Sequence, residues 1–137
     1  MKYRLLDILA CPICKKFPLR LIVFNENTYD YEVKLDKDIV CEEYCGLLGD
    51  FISKITPKNK INCVSCLKRE VNEGILICDN CLRWYPIIEE IPHMLPDELR
   101  DKKSDISFLK KYRDKIPKEI LENGKPWNLS STNNNSK

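Results

Sequence analysis

The 137-residue sequence has a single histidine, His93, only four glycines, and a formal net charge of just +2. For catalysis this is a thin inventory, since scattered glycines form no phosphate-cradling loop. The near balance of 23 basic and 21 acidic residues provides no large positive field to drive phosphate binding. The composition therefore gives no signal for strong, unaided binding to RNA or DNA.

Long apolar runs are also absent, because no stretch approaches the roughly 20 residues of a membrane-spanning helix. The N-terminal apolar stretch contains Asp7 and lacks a small-residue cleavage site, so it does not look like a secretion signal. We expect a cytoplasmic protein without a membrane partner. In a reducing compartment, paired cysteines are more often metal ligands than disulfides, with intracellular proteins of hyperthermophiles as the exception.

Cysteine, by contrast, is abundant. The eight cysteines form four pairs: Cys11 and Cys14, Cys41 and Cys45, Cys63 and Cys66, Cys78 and Cys81. A two-residue spacer lets both thiolates of a tight turn face one centre, and two such turns complete a tetrahedral four-sulfur zinc site. Eight ligands therefore predict two sites, which would stabilise lobes too small to bury a sizeable core. Spacing alone leaves the pairing open, and it would equally join the last two pairs into a compact ribbon.

The first half of the chain is predicted to form a hairpin and a helix. Residues 19–24 form a plausible strand, and strict alternation over residues 29–35 predicts its partner beyond a turn signal at 25–27. From Asp38 to residue 55, apolar residues recur at three- and four-residue steps, which predicts a helix capped by Asp38. This helix would place Cys41 and Cys45 on one face.

The second half is predicted to contain two strands and a C-terminal helix. Residues 74–77 and 84–88 flank the last cysteine pair as strands, and two prolines make residues 91–96 extended. Ser104 is placed to cap a helix with apolar positions at Ile106, Leu109 and Tyr112. The polar end, residues 128–137, is predicted to be disordered.

Two stretches, LLDILACPIC and EGILICDNCLRWYPIIEEIPHMLP, carry a family resemblance. They are similar to the tRNA methyltransferase activator family, the small zinc-binding activator subunits of class I methyltransferases, in an archaeal-type form. The matching positions are Met1, Lys2, Leu6, Leu9, Cys11, Cys14, Cys78, Cys81, Tyr85, Pro86, Ile87, Ile91, Pro92 and Leu95. The resemblance covers residues 1–35 and 75–99.

The resemblance implies an α+β fold in which both chain ends, residues 1–35 and 75–99, build a zinc-ribbon-like β lobe. Residues 36–74 would be a mostly helical insertion. Residues 100–137 lie outside the family core and are predicted from their own pattern to be a helical extension with a disordered tail. The resemblance also implies one zinc site formed by Cys11, Cys14, Cys78 and Cys81. The other quartet, Cys41, Cys45, Cys63 and Cys66, lies outside the family pattern and is assigned on spacing to a second zinc site or to two disulfides.

For function, the resemblance implies a non-catalytic partner that stabilises and activates methyltransferases acting on tRNA, rRNA or translation factors. S-adenosylmethionine would enter only through the partner enzyme, and RNA would be contacted only indirectly. Candidate partner contacts are apolar residues near the two knuckles: Leu5, Ile8, Leu9, Trp84, Ile88, Ile91, Met94 and Leu95. Each fits the small core under the zinc as well as an interface, and Met94 and Leu95 are the favoured interface pair because their segment is extended.

The same residues also allow a catalytic and a nucleic-acid-binding interpretation. The C-P-x-C pair is similar to a redox motif, but the helix that such a thiolate needs is not predicted after Cys14. A closed four-sulfur site also leaves no open position for water and none for His93, so the metal is expected to be structural, although iron would use the same sulfurs. The alternative function is a zinc-ribbon module for nucleic acid or the transcription machinery, using Arg4, Lys15, Lys16, Arg20, Lys68, Arg69 and Arg83.

Overall fold

The structure, a computed structural model, describes residues 1–130. Its strands are β1 (Arg20–Thr28), β2 (Tyr44–Cys45), β3 (Asp50–Phe51), β4 (Arg69–Ile77), β5 (Trp84–Ile88) and β6 (Ile91–Pro92). Its α-helices are α1 (Cys63–Leu67), α2 (Lys102–Lys111) and α3 (Lys118–Asn123), and 3-10 turns lie at Tyr3–Asp7, Ile52–Lys54, Lys58–Lys60 and Asp97–Leu99. The α+β prediction is confirmed.

An antiparallel sheet with strand order β1-β4-β5-β6 forms the centre of the protein. The central strand β4 ends in the apolar run Ile75, Leu76 and Ile77, all completely buried. Successive side chains of a strand point to opposite faces, so a continuous buried run requires cover on both sides. The two faces of this sheet accordingly carry two separate hydrophobic cores.

The first core is built by residues from both of the stretches that carry the family resemblance. The 3-10 turn Tyr3–Asp7 lies on this face and contributes Leu6, which packs in one cluster with Leu76 and Tyr85. Cys11 and Cys78 belong to the same cluster and are fully buried. The core therefore reaches the cysteine pairs directly.

The second core is built by the C-terminal extension. Helix α2 places Phe108 and Leu109 against Ile75, Ile77 and Trp84, and the ring of Trp84 stacks on Phe108 with centroids 5.9 Å apart. Side chains of α3 and the segment after it complete the cluster. The predicted C-terminal helix is thus present, although it begins one turn earlier, with Asp101 as its N-cap residue.

The predicted strand over residues 29–35 is wrong. Strand β1 continues through the turn signal to Thr28, with an irregular register around Asn25, and pairs with β4 instead of a following strand. The rings of Tyr29 and Tyr31 stack 5.1 Å apart, and the Tyr31 hydroxyl donates to the Glu70 carboxylate at 3.1 Å. The alternating aromatics therefore lie over the surface beside the sheet and do not extend it.

The predicted helix from Asp38 to residue 55 is also wrong, so the mostly helical character expected for residues 36–74 is limited to α1 and short 3-10 turns. The residues form the hairpin β2–β3, in which Tyr44 faces Phe51. Gly49 has φ +71°, outside the helical region, and a Cβ on Gly46 would lie 2.2 Å from the Tyr3 carbonyl oxygen. The apolar residues whose spacing predicted a helix lie instead in and around a tight hairpin, which packs against the 3-10 turn Tyr3–Asp7.

The C-terminal end extends the second core further than expected. Trp127 and Leu129 pack against it, and the indole N–H of Trp84 donates to the Trp127 carbonyl at 3.0 Å. The remainder of the predicted disordered tail, residues 131–137, lies outside the described residues. Within residues 1–130, none of the helices has the length and apolar character needed to cross a bilayer.

Candidate metal centre

Four cysteine sulfurs converge at one end of the sheet. Cys11 and Cys14 precede β1, and Cys78 and Cys81 form the turn between β4 and β5. All four sulfurs lie within 4.8 Å of one another, with Cys14 and Cys78 at 3.3 Å and Cys11 and Cys81 at 3.7 Å. Tetrahedral zinc with bonds of about 2.3 Å needs sulfurs about 3.8 Å apart. The quartet therefore has the chemistry and spacing of a metal site.

The two cysteine turns share one backbone conformation. The Lys15 N–H donates to the Cys11 carbonyl and the Leu82 N–H donates to the Cys78 carbonyl, both at 2.9 Å. Lys15 and Leu82 have φ values of 67° and 63°, which side chains other than glycine rarely adopt. The strain is held because each turn is closed by a second backbone bond one residue later, Cys11 N–H to Lys16 at 3.0 Å and Cys78 N–H to Arg83 at 2.8 Å.

Hydrogen bonds to the sulfurs set their charge. The Asn80 side chain and the Lys16 backbone N–H lower the pKa of Cys14 to about 6. Burial alone would raise the pKa of Cys11, but donors that include the backbone N–H of Cys14 outweigh it and lower that pKa. Burial raises the pKa of Cys78 to about 12. The site thus stabilises thiolate on the first pair, which is the form that binds metal.

Two side chains outside the quartet hold it in place. The hydroxyl oxygen of Tyr85 lies 3.3 Å from the Cys11 sulfur and is buried in the first core. The Arg83 guanidinium makes a two-pronged contact with Asp97, at 3.0 and 2.7 Å. The guanidinium also interacts with the Cys81 sulfur, and Asp97 and this sulfur both raise the pKa of Arg83. Such outer contacts orient ligands and tune their basicity.

With four protein ligands the site is closed. Within the described residues, the candidate ligand group consists of the four cysteines, with no histidine or carboxylate joining them. His93 lies elsewhere, beside Pro86 and Leu95 in an open groove. A filled tetrahedral site offers no position for a reactive water. The arrangement can therefore stabilise the fold but has no place to activate a substrate.

The comparisons with known proteins agree with this geometry. The family described as Trm112p-like protein matches residues 2–90. The chain belongs to the Trm112p-like family. Members of this family are methyltransferase activators, which confirms the resemblance given by the sequence. The family match ends before the segment that contains α2 and α3. No curated protein matches the chain significantly.

The second cysteine quartet of this Trm112p-like chain shares one cavity, but within residues 1–130 its sulfurs do not form a group within 4.8 Å as those of the first quartet do. Its four members line one small cavity: Cys41, Cys45, Cys63 and Cys66. Burial raises the pKa of Cys41 to about 11 and that of Cys66 to about 12, and neighbouring cysteines add to both shifts. In the described part of the chain, none of the eight cysteines is joined in a disulfide.

The predicted partner-contact residues fall into three groups. Ile8, Ile91 and Leu95 are exposed, at 74%, 59% and 40%. Four others are partly buried: Leu5, Leu9 and Met94 against the first core, and Ile88 against the second. Trp84 is completely buried beneath α2, so its prediction as a surface contact is wrong. The C-terminal segment that covers Trp84 contains no cysteine, so no sequence motif indicated that it packs on the sheet.

Sequence reasoning missed one residue that organises the central segment. The Asp7 carboxylate accepts the backbone N–H groups of Glu42, Glu43 and Tyr44, at 2.9, 2.8 and 2.8 Å. It thereby fixes the turn between Cys41 and Cys45. The sequence signal for this role is its position as a lone charge inside an apolar stretch.

Proposed function

We propose that this chain is a non-catalytic subunit that binds, stabilises and activates class I methyltransferases acting on tRNA, rRNA or translation factors. The match of residues 2–90 to the Trm112p-like family carries the proposal. S-adenosylmethionine is bound by the enzyme of this cytoplasmic heterodimer, and this subunit contacts RNA only indirectly, through the enzyme. Zinc on Cys11, Cys14, Cys78 and Cys81 has a structural role, because the closed site supports a surface and not a reaction.

The surface best suited to the enzyme lies around the outer edge of the sheet. β6 is a two-residue edge strand, and Ile91 on it is exposed. Leu95 follows in an irregular segment and borders the groove lined by Pro86 and Ile88. A partner strand could add to this edge through main-chain hydrogen bonds while burying these apolar side chains. Single exposed apolar residues are common, so the grouping at one edge is the argument.

The alternative of a nucleic-acid module has weaker support. Three of the arginines that would contact phosphates already bind carboxylates of the same chain, Arg20 with Asp79 at 2.9 Å, Arg69 with Glu26 at 2.9 Å and Arg83 with Asp97 at 2.7 Å. Binding a phosphate would require each pair to open. A shallow salt dependence of any RNA binding is therefore expected.

The test is co-purification of the tagged full chain from its native lysate with nuclease present, followed by mass spectrometry. We expect one or more class I methyltransferases near equal stoichiometry, and methylation by the purified enzyme should rise when the chain is added. Recovery of polymerase or ribosome components without a methyltransferase would replace this proposal with the nucleic-acid module.

Surface variants then locate the contact. Ile91→Asp and Leu95→Asp should keep the fold, because both side chains are exposed. Each should lower the affinity for the purified methyltransferase at least tenfold. Val64→Asp, at an equally exposed apolar position on α1, is the matched control. Equal binding by all three variants would move the interface away from the β6 edge.

A further inference from the structure

The central segment, residues 36–67, has almost no hydrophobic core of its own. Only three of its side chains are buried, Cys45, Ile55 and Cys63, and two of those are cysteines. Its regular structure is the hairpin of two-residue strands and the five-residue helix α1. Beyond these, Tyr44, Leu47 and Cys66 pack only in part against the first core. Small lobes with so little buried apolar surface commonly depend on a covalent or metal staple.

The four cysteines of the segment meet around one small space. Cys41, Cys45, Cys63 and Cys66 line a cavity of about 20 Å³, which is room for one water-sized particle. The backbone N–H of Val40 donates to the Cys63 sulfur at 3.5 Å. This contact ties the first cysteine pair to the second across the cavity. Four cysteines from two chain segments thus line one small cavity. Among residues 1–130, only the sulfurs of the first quartet already lie within 4.8 Å of one another, so a metal ion here would have to draw these four sulfurs closer together.

The turn at Cys45 has the backbone of the metal-binding turns described above. The Gly49 N–H donates to the Cys45 carbonyl at 2.8 Å, and Gly49 has φ +71°. The Cys11 turn has the same bond, from Lys15 at 2.9 Å, and the same positive φ at Lys15. Leu48 occupies the position where the Cys11 turn has its second cysteine. The second sulfur comes instead from Cys41, on the preceding turn that Asp7 holds.

The other pair lies on the first turn of α1. Cys63 and Cys66 are three residues apart, which places both sulfurs on the same side of a helix. The Asn62 side chain caps this helix by accepting the Ser65 N–H at 3.0 Å, and the Cys66 N–H donates to the Asn62 carbonyl at 3.0 Å. The pair is therefore presented by a fixed turn and does not depend on a flexible loop.

We propose that Cys41, Cys45, Cys63 and Cys66 bind a second zinc ion, which holds residues 36–67 together and against the N-terminal 3-10 turn. Thiolates select zinc over calcium and magnesium, and binding releases the thiol protons to solvent without any oxidant. The site is independent of the proposed methyltransferase partner. Because its sulfurs are less tightly grouped than those of the first quartet, it should release zinc first.

The test uses the full chain, purified under reducing conditions with zinc, and measures metal content by elemental analysis and native mass spectrometry. The wild type should hold two zinc ions per chain and lose them to a chelator in a fast and a slow phase. Cys45→Ser and Cys66→Ser should hold one zinc and lack the fast phase. Ser65→Ala, at an exposed position on α1 between the two cysteines, is the matched control and should keep both phases.

A wild-type experiment keeps the test decisive if a variant fails to fold. Thiol alkylation with peptide mapping after the fast phase should label Cys41, Cys45, Cys63 and Cys66 while Cys11, Cys14, Cys78 and Cys81 stay protected. A single zinc per chain with the second quartet freely alkylated would overturn the proposal. So would a mass loss corresponding to disulfides within that quartet.

Discussion

The hydroxyl oxygen of Tyr85 lies 3.3 Å from the sulfur of Cys11, 74 positions away in the sequence. Tyr85 is fully buried and belongs to the same hydrophobic cluster as Cys11 and Cys78. The aromatic ring therefore packs in the core while its hydroxyl is available to donate to a metal ligand. This contact couples the strength of the metal site to the packing of the sheet.

Removing that hydroxyl should weaken metal binding without unfolding the chain. Tyr85→Phe keeps the ring, but it leaves the Cys11 thiolate with one donor fewer. Loss of an outer-shell partner typically costs about 10–100-fold in metal affinity, so we expect a loss of this size in competition with a zinc chelator. Tyr31→Phe, which removes an exposed hydroxyl, is the control. Unchanged zinc affinity in Tyr85→Phe would show that the contact is only packing.

Serine at any member of the first quartet should release the metal and unfold the lobe. The free energy of zinc binding is folding free energy for such a site. Cys78→Ser should therefore lose zinc on purification and lose the cooperative thermal transition seen by near-ultraviolet circular dichroism. A variant that keeps the wild-type zinc content of this site would refute the grouping of Cys11, Cys14, Cys78 and Cys81.

The C-terminal extension should be required for stability. Leu109 is completely buried in the second core, and Leu→Ala in such a site costs about 2–5 kcal/mol. We expect Leu109→Ala to lower the free energy of unfolding by that amount in urea titrations. Lys110→Ala, on the exposed side of α2, should change it by less than about 0.5 kcal/mol. Similar values for the two variants would mean that α2 is not docked on the sheet.

A buried ion pair fixes the start of α2. The Arg100 Nε donates to Asp105 at 2.8 Å, with the two side chains only 2% and 9% exposed, and its Nη1 donates to the Trp84 carbonyl at 2.8 Å. Arg100→Met should destabilise the protein by about 3–5 kcal/mol, since it leaves an uncompensated buried carboxylate.

The double variant Arg100→Met with Asp105→Leu separates charge from packing. It removes both charges, so it should be more stable than Arg100→Met alone when the two are compared by chemical denaturation. If the double variant is less stable than the single one, the main cost lies in lost packing on Trp84 and not in the unpaired charge.

Asp7 should make the stability of the central segment depend on pH. Burial would raise the pKa of this carboxyl, but the three backbone N–H donors outweigh it and lower the pKa below its usual value. Its contribution is therefore fully present above the unfolded-state pKa of about 3.9 and is lost as the pH falls through the lower folded value.

At neutral pH, Asp7→Asn should destabilise the protein by about 1–2 kcal/mol, because an amide offers a single, uncharged acceptor oxygen. The stability curves of the two proteins should converge as the pH falls below the folded pKa. Asp38→Asn, at an exposed position, is the control. A difference that persists unchanged into acid would assign the effect to geometry and not to charge.

The strands around the last cysteine pair were predictable because local signals and tertiary structure agree there. Residues 74–77 are an apolar run bounded by a glycine and a cysteine knuckle, and the structure places them at the end of β4. The first metal quartet, in contrast, could not be chosen by spacing. It depends on β1 pairing with β4, which brings two distant turns together.

The central segment shows why periodicity misled. Residues Tyr44 and Phe51 fit a helical repeat, but they face each other across a hairpin, with rings 5.4 Å apart. The Asp7 carboxylate and the close approach of Gly46 to Tyr3 decide the local conformation. Both are contacts between distant parts of the chain, which a window of neighbouring residues does not contain.

Because β1 pairs with the much later strand β4, parts of the protein must wait to fold while the chain is being synthesised. Cys11 and Cys14 leave the ribosome long before Cys78 and Cys81, so the first pair remains without half of its ligands while the chain between them is made. The apolar face later covered by α2 stays open longer still, until the helix emerges. The nascent chain thus exposes reactive thiols first and a hydrophobic sheet face afterwards, and both are hazards for slow, non-local folding. Zinc supply during translation should therefore set the yield of folded protein.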